Sequence, residues 1–322
     1  MQKLALLLLL FISLGARGQV PSDSSSNLMQ SLDTTITPAS AKPVKVFQSQ
    51  KLINANTVEV LPKGFLEFKV VHNFGDIDGS NGGVSTAFGL DGATDIKIAF
   101  QMGITKKLNI LVSRSKGGSI VQQLYELGVK YQFLQQMEND PRHPLSLTVF
   151  ANGVISSQKK NTAPDKENSY QDFNDRMSQV VQLMVARKFG KLSLQLSPTY
   201  VHTNYVAPGD VNSIFALGAG IRVPVPLFKR FYFIGDYFHT FRSKSSKDAL
   251  IAQNAHPYDA LGVGLEILTL GHVFHMNFTN ATNILENRFI PRTFTTWSKG
   301  QWRWGFTVSR NFVVFKDKRK RK

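Results

Sequence analysis

Apolar and polar positions alternate with period two along most of this chain. In Phe65 to Phe74, Leu66, Phe68, Val70 and Phe74 share one side, and Glu67, Lys69 and Asn73 share the other. Ala93 to Met102 opposes Ile96, Ile98, Phe100 and Met102 to Asp95, Lys97 and Gln101. Tyr125 to Phe133 opposes Tyr125, Leu127, Val129, Tyr131 and Phe133 to Glu126, Lys130 and Gln132. Successive side chains of a strand point to opposite faces, so each segment predicts a strand with one apolar and one polar face. Further strands are expected near Leu108 to Arg114, Leu145 to Ser156, Ser178 to Phe189, Leu192 to His202, Ile214 to Val223, Phe231 to Phe241, Tyr258 to Leu268, His272 to Asn280 and Gln301 to Phe315.

The connections sort by parity. Gly103 to Lys107, Gly190 to Lys191, Pro224 to Arg230 and Thr269 to Gly271 are short, with Gln135 to Pro144 the longest of their set. The other parity, Gly75 to Gly92, Ser157 to Met177, Lys244 to Pro257 and Ala281 to Gly300, is long, polar and rich in Gly and Asn, with Lys116 to Ile120 as its short member. A soluble sandwich has no reason for this sorting. Outer-membrane barrels do, because their periplasmic turns are short and their extracellular loops long. The pattern predicts an all-β fold, a transmembrane antiparallel up-and-down barrel of about 12 strands, apolar outside and polar inside, with both termini in the periplasm. Aromatic residues near the predicted strand ends, Tyr131, Phe133, Phe189, Phe231, Phe312 and Phe315 at one end and Phe74, Trp302 and Trp304 at the other, fit the two headgroup boundaries.

The ends divide the chain further. Lys3, the apolar run Leu4 to Leu14 and Ala16-Arg17-Gly18 predict a signal peptide over residues 1–18, too short to span hydrocarbon. Residues 19–55 read as a flexible periplasmic leader, to which Val44 to Ile53 can add a short ordered piece; residues 56–315 are the barrel and 316–322 a basic tail. Cysteine is absent, which excludes disulfides, thiolate sites and a lipidated cysteine. The net charge of +16 falls to +8 for the barrel once signal peptide, leader and tail are set aside. These bases are scattered in an exported chain, so no nucleic-acid partner is expected. The tail reads as a solvated end, or as a contact for anionic lipid headgroups.

Candidate function lies on the polar side. The residues expected to line the lumen are Glu67, Lys69, Asp95, Lys97, Glu126, Lys130, Asp236, Glu266, His275 and Asn277. With Lys188, Arg222 and Arg303 the signs nearly balance. Facing charges of both signs pair and fill a narrow barrel, whereas an open selective pore shows a ring of one sign. Glu67, Asp95 and Glu126 are accordingly expected to pair with Lys69, Lys97 and Lys130. None of the seven histidines is followed by Ser two positions on, as the lipid-facing His and Ser of a phospholipase barrel require. His239, His256 and Asp259 near one loop are the nearest thing to a protease rim. His272 and His275 fall on opposite faces of a strand, which does not suit a shared metal. Neither enzyme, cofactor nor metal site is expected.

Leu61-Pro62-Lys63-Gly64 with Glu67 and His72-Asn73-Phe74-Gly75, Phe88-Gly89-Leu90-Asp91-Gly92, and Gly271-His272-Val273-Phe274 through Phe278-Thr279-Asn280 resemble a family of uncharacterised β-barrel proteins of Bacteroidota-type outer membranes, carried as a domain of unknown function. The resemblance covers Asn54 to Phe315 and implies an outer-membrane barrel without substrate, cofactor or active residue. The chain departs from it in continuing past Phe312 and Phe315, the aromatic residues that would serve as assembly signal. The expected role is transport or binding of a small ligand of unknown identity, through a lumen that can be occluded. The alternatives are a structural barrel anchoring extracellular loops and an outer-membrane hydrolase. Outer-membrane lipid and the barrel-assembly machinery are the expected partners.

Overall fold

A computed structural model of the chain describes residues 42–79 and 81–315. The signal peptide, most of the expected leader and the basic tail lie outside the described residues. Twelve strands follow one another: β1 Phe65–Asp76, β2 Ala93–Gly103, β3 Leu108–Ser115, β4 Leu124–Leu134, β5 Ser146–Ser156, β6 Met177–Phe189, β7 Leu192–Thr203, β8 Ser213–Pro224, β9 Phe231–Phe241, β10 Ala260–Leu268, β11 His272–Thr279 and β12 Arg303–Val313. Each pairs antiparallel with its sequence neighbours, and β1 pairs with β12 from Phe65 against Val313 to Asn73 against Gly305, closing the barrel. Closure leaves no strand edge to be satisfied by lipid.

Leu61-Pro62-Lys63-Gly64 sits at the closure. Gly64 adopts φ +81°, and its carbonyl accepts from the N–H groups of Val314, at 2.8 Å, and Phe315, at 3.2 Å. A Cβ there would lie 2.3 Å from the Phe315 carbonyl oxygen, so the close approach requires glycine. Outward positions such as Ile98, Phe100, Val112, Leu127 and Val129 are exposed, while Asp95, Lys97, Gln101, Ser113, Glu126 and Lys130 are buried. Over β2 to β4 the periodicity therefore separates an apolar outer face from a mostly polar inner one.

Part of the chain packs into that interior. Residues 43–61, expected in part as flexible leader, form a hairpin inside the barrel. They enter at the short-turn end, where Val44 N–H donates to Gln136 O and Glu138 N–H to Lys42 O, each at 2.8 Å. At the tip, Leu52 N–H donates to Ala55 O at 2.8 Å, and the chain returns to Leu61, which Asn109 holds on both its N–H (2.7 Å) and its carbonyl (3.1 Å). The correction has a physical cause. Val46, Phe47, Leu52, Ile53 and Val58 are all buried, against wall residues that include Phe150, Met184, Ile234 and Phe238. Full burial of such side chains contributes about 1.5–3 kcal/mol each, which a composition-based reading of the leader does not weigh.

Candidate functional site: the plugged lumen

Inward strand positions supply polar groups that must find partners once water is excluded. Lys69 Nζ lies 2.9 Å from Glu67 Oε2, two residues away on the same face of β1. Lys97 Nζ meets Glu126 Oε2 at 2.7 Å, and Ser113 and Asn152 donate to the same carboxylate. Arg222 Nε meets Glu266 Oε1 at 2.6 Å, with His275 Nε2 3.4 Å from Glu266 Oε2. Arg303 binds Asp76 at 2.6 Å. Asn277 is buried where Gly264 and Gly305 leave room for it.

The remaining expected lining residues are met by the hairpin or by a loop. Asp236 Oδ2 accepts from the main-chain N–H groups of Ile53 (3.0 Å), Asn54 (2.7 Å) and Ala55 (2.8 Å), and Oδ1 accepts from Asn54 Nδ2 at 2.9 Å. Lys130 donates to Gln50, at 3.4 Å to its carbonyl and 3.2 Å to its side chain. His275 Nδ1 donates to Leu52 O at 2.9 Å. Asp95 accepts from Ser115 Oγ at 2.7 Å, Gly117 N–H at 2.8 Å and Ile284 N–H at 2.9 Å. So Glu67 and Glu126 pair with lysines, whereas Asp95 and Lys130 bind inserted backbone and side chain instead.

A second plug comes from the long-loop end. Residues 281–293 of the last loop turn inward and are buried throughout apart from Thr282, with Phe289 edge-on to Phe238 at a centroid distance of 5.1 Å. This loop was expected to be a polar extracellular connection; Leu285, Phe289 and Ile290 were the signal that it packs. The two plugs meet where Glu286 Oε1 accepts from Lys51 Nζ at 3.3 Å and from Asn56 Nδ2 at 3.1 Å. Lys51 Nζ also donates to Ile284 O at 3.3 Å.

Above the junction, four long loops are tied by one run of charges. Arg288 meets Glu167 at 2.7 Å, Arg292 meets Glu167 at 3.1 Å and Asp210 at 2.7 Å, and Arg242 binds Asp210 as well. Burial pushes the Glu167 carboxyl up, but the two guanidinium groups beside it outweigh that and hold it below the usual carboxylate range. The helix Lys244–Ala252, capped by Ser243 accepting from Ser246 N–H, joins this clasp through Ser246 Oγ to Asp210 at 2.6 Å. Asp259 accepts from Tyr237 and from His239, the latter at 2.8 Å, on the exposed outer rim. Glu167, Asp210, Arg242, Arg288 and Arg292 are far apart in the sequence, where no motif links them.

Among solved structures the chain is similar to the NanC porin, at 8% identity over 78% of this chain and 100% of that one, with a TM-score of 0.43. It is also similar to the COG4313 outer membrane channel from Pseudomonas putida F1 (11% identity, 79% and 98% covered, TM-score 0.45). A third is the KdgM porin in complex with disordered oligogalacturonate (8% identity, 77% and 99% covered, TM-score 0.43). No curated protein matches. The family model that matches begins at Phe47, inside the hairpin, and runs to Phe312 on the closing strand, so barrel and plug fall within one family unit. The chain belongs to the family described as the membrane bound beta barrel domain DUF5777.

Proposed function

We propose that this protein is an outer-membrane barrel of the transport class, closed by its own hairpin and last loop, with its short-turn end in the periplasm. The observation that carries the reading is the junction of the two plugs, where Lys51 of the hairpin meets Glu286 and the Ile284 carbonyl of the last loop through polar contacts alone. Movement of a plug so held leaves Glu67, Lys69, Asp95, Lys97, Glu126 and Lys130 around a lumen that water can fill. A solute would pass only after the hairpin has moved. The loop-anchoring reading draws on the apolar side of the same interior, where Phe47, Leu52 and Val58 belong to one cluster with Phe150, Met184 and Phe238.

Planar-bilayer recording separates the two. Wild type is expected to conduct poorly, while Lys51→Ala and a form lacking residues 43–61 should open, the latter with large stable steps. Continuous conductance by wild type would refute closure. Silence of all three, in preparations shown to be folded by heat-modifiable gel mobility, would favour the anchoring barrel.

A further inference from the structure

The two ends of the barrel differ in charge. At the long-loop end, residues 77–92, 114–123, 157–176, 203–212, 242–259 and 280–302 carry twelve Lys and Arg against ten acids. At the short-turn end, residues 42–45, 61–64, 104–107, 134–145, 187–191, 225–230, 269–272 and 310–315 also carry twelve Lys and Arg, but only Glu138 and Asp140 oppose them. Four of the five short turns hold an exposed base: Lys106 and Lys107, Arg142, Lys191, and Lys229 with Arg230. The bases of these four turns belong to no part of the plug.

The short-turn end is also amphipathic. Leu227 and Leu270 stand in turns, 99% and 97% exposed, and Phe228, Phe312 and Phe315 at the same end are exposed as well. Bases lie over outward-facing rings, Arg187 4.8 Å from Phe189 and Arg310 5.2 Å from Phe312. A soluble acidic partner would use the charge and leave the leucines in water. A lipid headgroup boundary uses both, since apolar side chains enter the acyl edge while bases meet phosphate.

We propose that the short-turn rim is a binding collar for anionic glycerophospholipid, which seats it against the phosphate plane of one leaflet. The proposal rests on the outer-membrane reading above only for which leaflet supplies the lipid. A base near such a surface contributes about a fivefold gain in partitioning. Lipids that touch the collar should therefore be selected from a mixture.

The test uses the whole chain in vesicles of equal phosphatidylglycerol and phosphatidylcholine, extracted gently, with retained lipid measured by mass spectrometry. Phosphatidylglycerol should be enriched about fivefold or more over the bulk. Enrichment should fall toward the bulk ratio in 1 M salt and in a Lys106→Gln, Lys107→Gln, Lys229→Gln, Arg230→Gln variant. A Lys159→Gln, Lys160→Gln, Lys166→Gln variant at the other end should keep it. A bulk ratio in wild type, or enrichment unchanged in 1 M salt or in the collar variant, would overturn the proposal. Failure of the barrel reading is seen separately, as protein that does not float with the vesicles.

Discussion

Asp236→Asn should release the hairpin tip. One carboxylate oxygen accepts three main-chain N–H groups at 2.7 to 3.0 Å, and the other accepts the Asn54 amide at 2.9 Å. Asparagine keeps the shape but offers one acceptor, so either the main chain or the Asn54 amide faces a donor. With the amide oxygen turned to the main chain, three charge-assisted bonds become neutral ones of about half the strength, and the fourth is lost. At about 1.5–3 kcal/mol for a bond to a charged group and about 1 kcal/mol for a neutral one, docking weakens by at least roughly 3 kcal/mol. At 1.4 kcal/mol per tenfold, the undocked fraction rises roughly a hundredfold or more. The absence of cysteine makes the assay clean: Ser49, 2% exposed on the hairpin, becomes the sole thiol in Ser49→Cys. Its labelling by a membrane-impermeant maleimide, in nanodiscs, should accelerate by that factor when Asp236→Asn is added. A Ser157→Cys reporter in an exposed loop should label equally in both backgrounds. Equal Ser49→Cys rates would refute the view that Asp236 holds the tip.

The outer clasp should depend on pH. Because Glu167 is held below its usual range when folded, its contribution is present above the unfolded pKa of about 4.3 and lost as pH falls through the folded value. Protection of residues 281–293 from hydrogen exchange, relative to the intrinsic rate at each pH, should therefore be high at neutral pH and fall in acid, with Glu167→Gln weakly protected at both; full protection throughout in that variant would reject the role. Val129→Arg places a charge on an outward position that is 44% exposed, and should cost roughly 2 to 4 kcal/mol in folding into vesicles if the site lies near mid-bilayer. No measurable loss would mean the outer face is misassigned. Gly64→Ala, at φ +81° and against Phe315, should destabilise the β1 and β12 closure by about 1–3 kcal/mol in urea unfolding, and wild-type stability would remove the steric argument.

Period two by itself determined most of the barrel. A strand whose outward residues meet lipid and whose inward residues meet polar groups must alternate, so Ile98 against Lys97, or Val129 against Lys130, assigns face and element together. Loop parity sorted the connections into a short-turn end and a long-loop end, and the predicted strand limits lie within about two residues of those found, because each alternation breaks where the turn begins. What fills the barrel was decided only by tertiary structure. The fragment Val44 to Leu61 is too short and too mixed to declare a partner, and its apolar residues find their burial on strands far along the chain, Met184, Ile234 and Phe238 among their walls. Asp236 shows the same limit. The sequence marks it as an inward acid, but that its carboxylate serves main-chain N–H groups of Ile53, Asn54 and Ala55 depends on a contact across 181 to 183 positions of chain. Inward alternation carries the identity of the wall; a partner brought in from elsewhere in the chain carries its use, because hydrogen bonds and burial depend on proximity that period two does not encode.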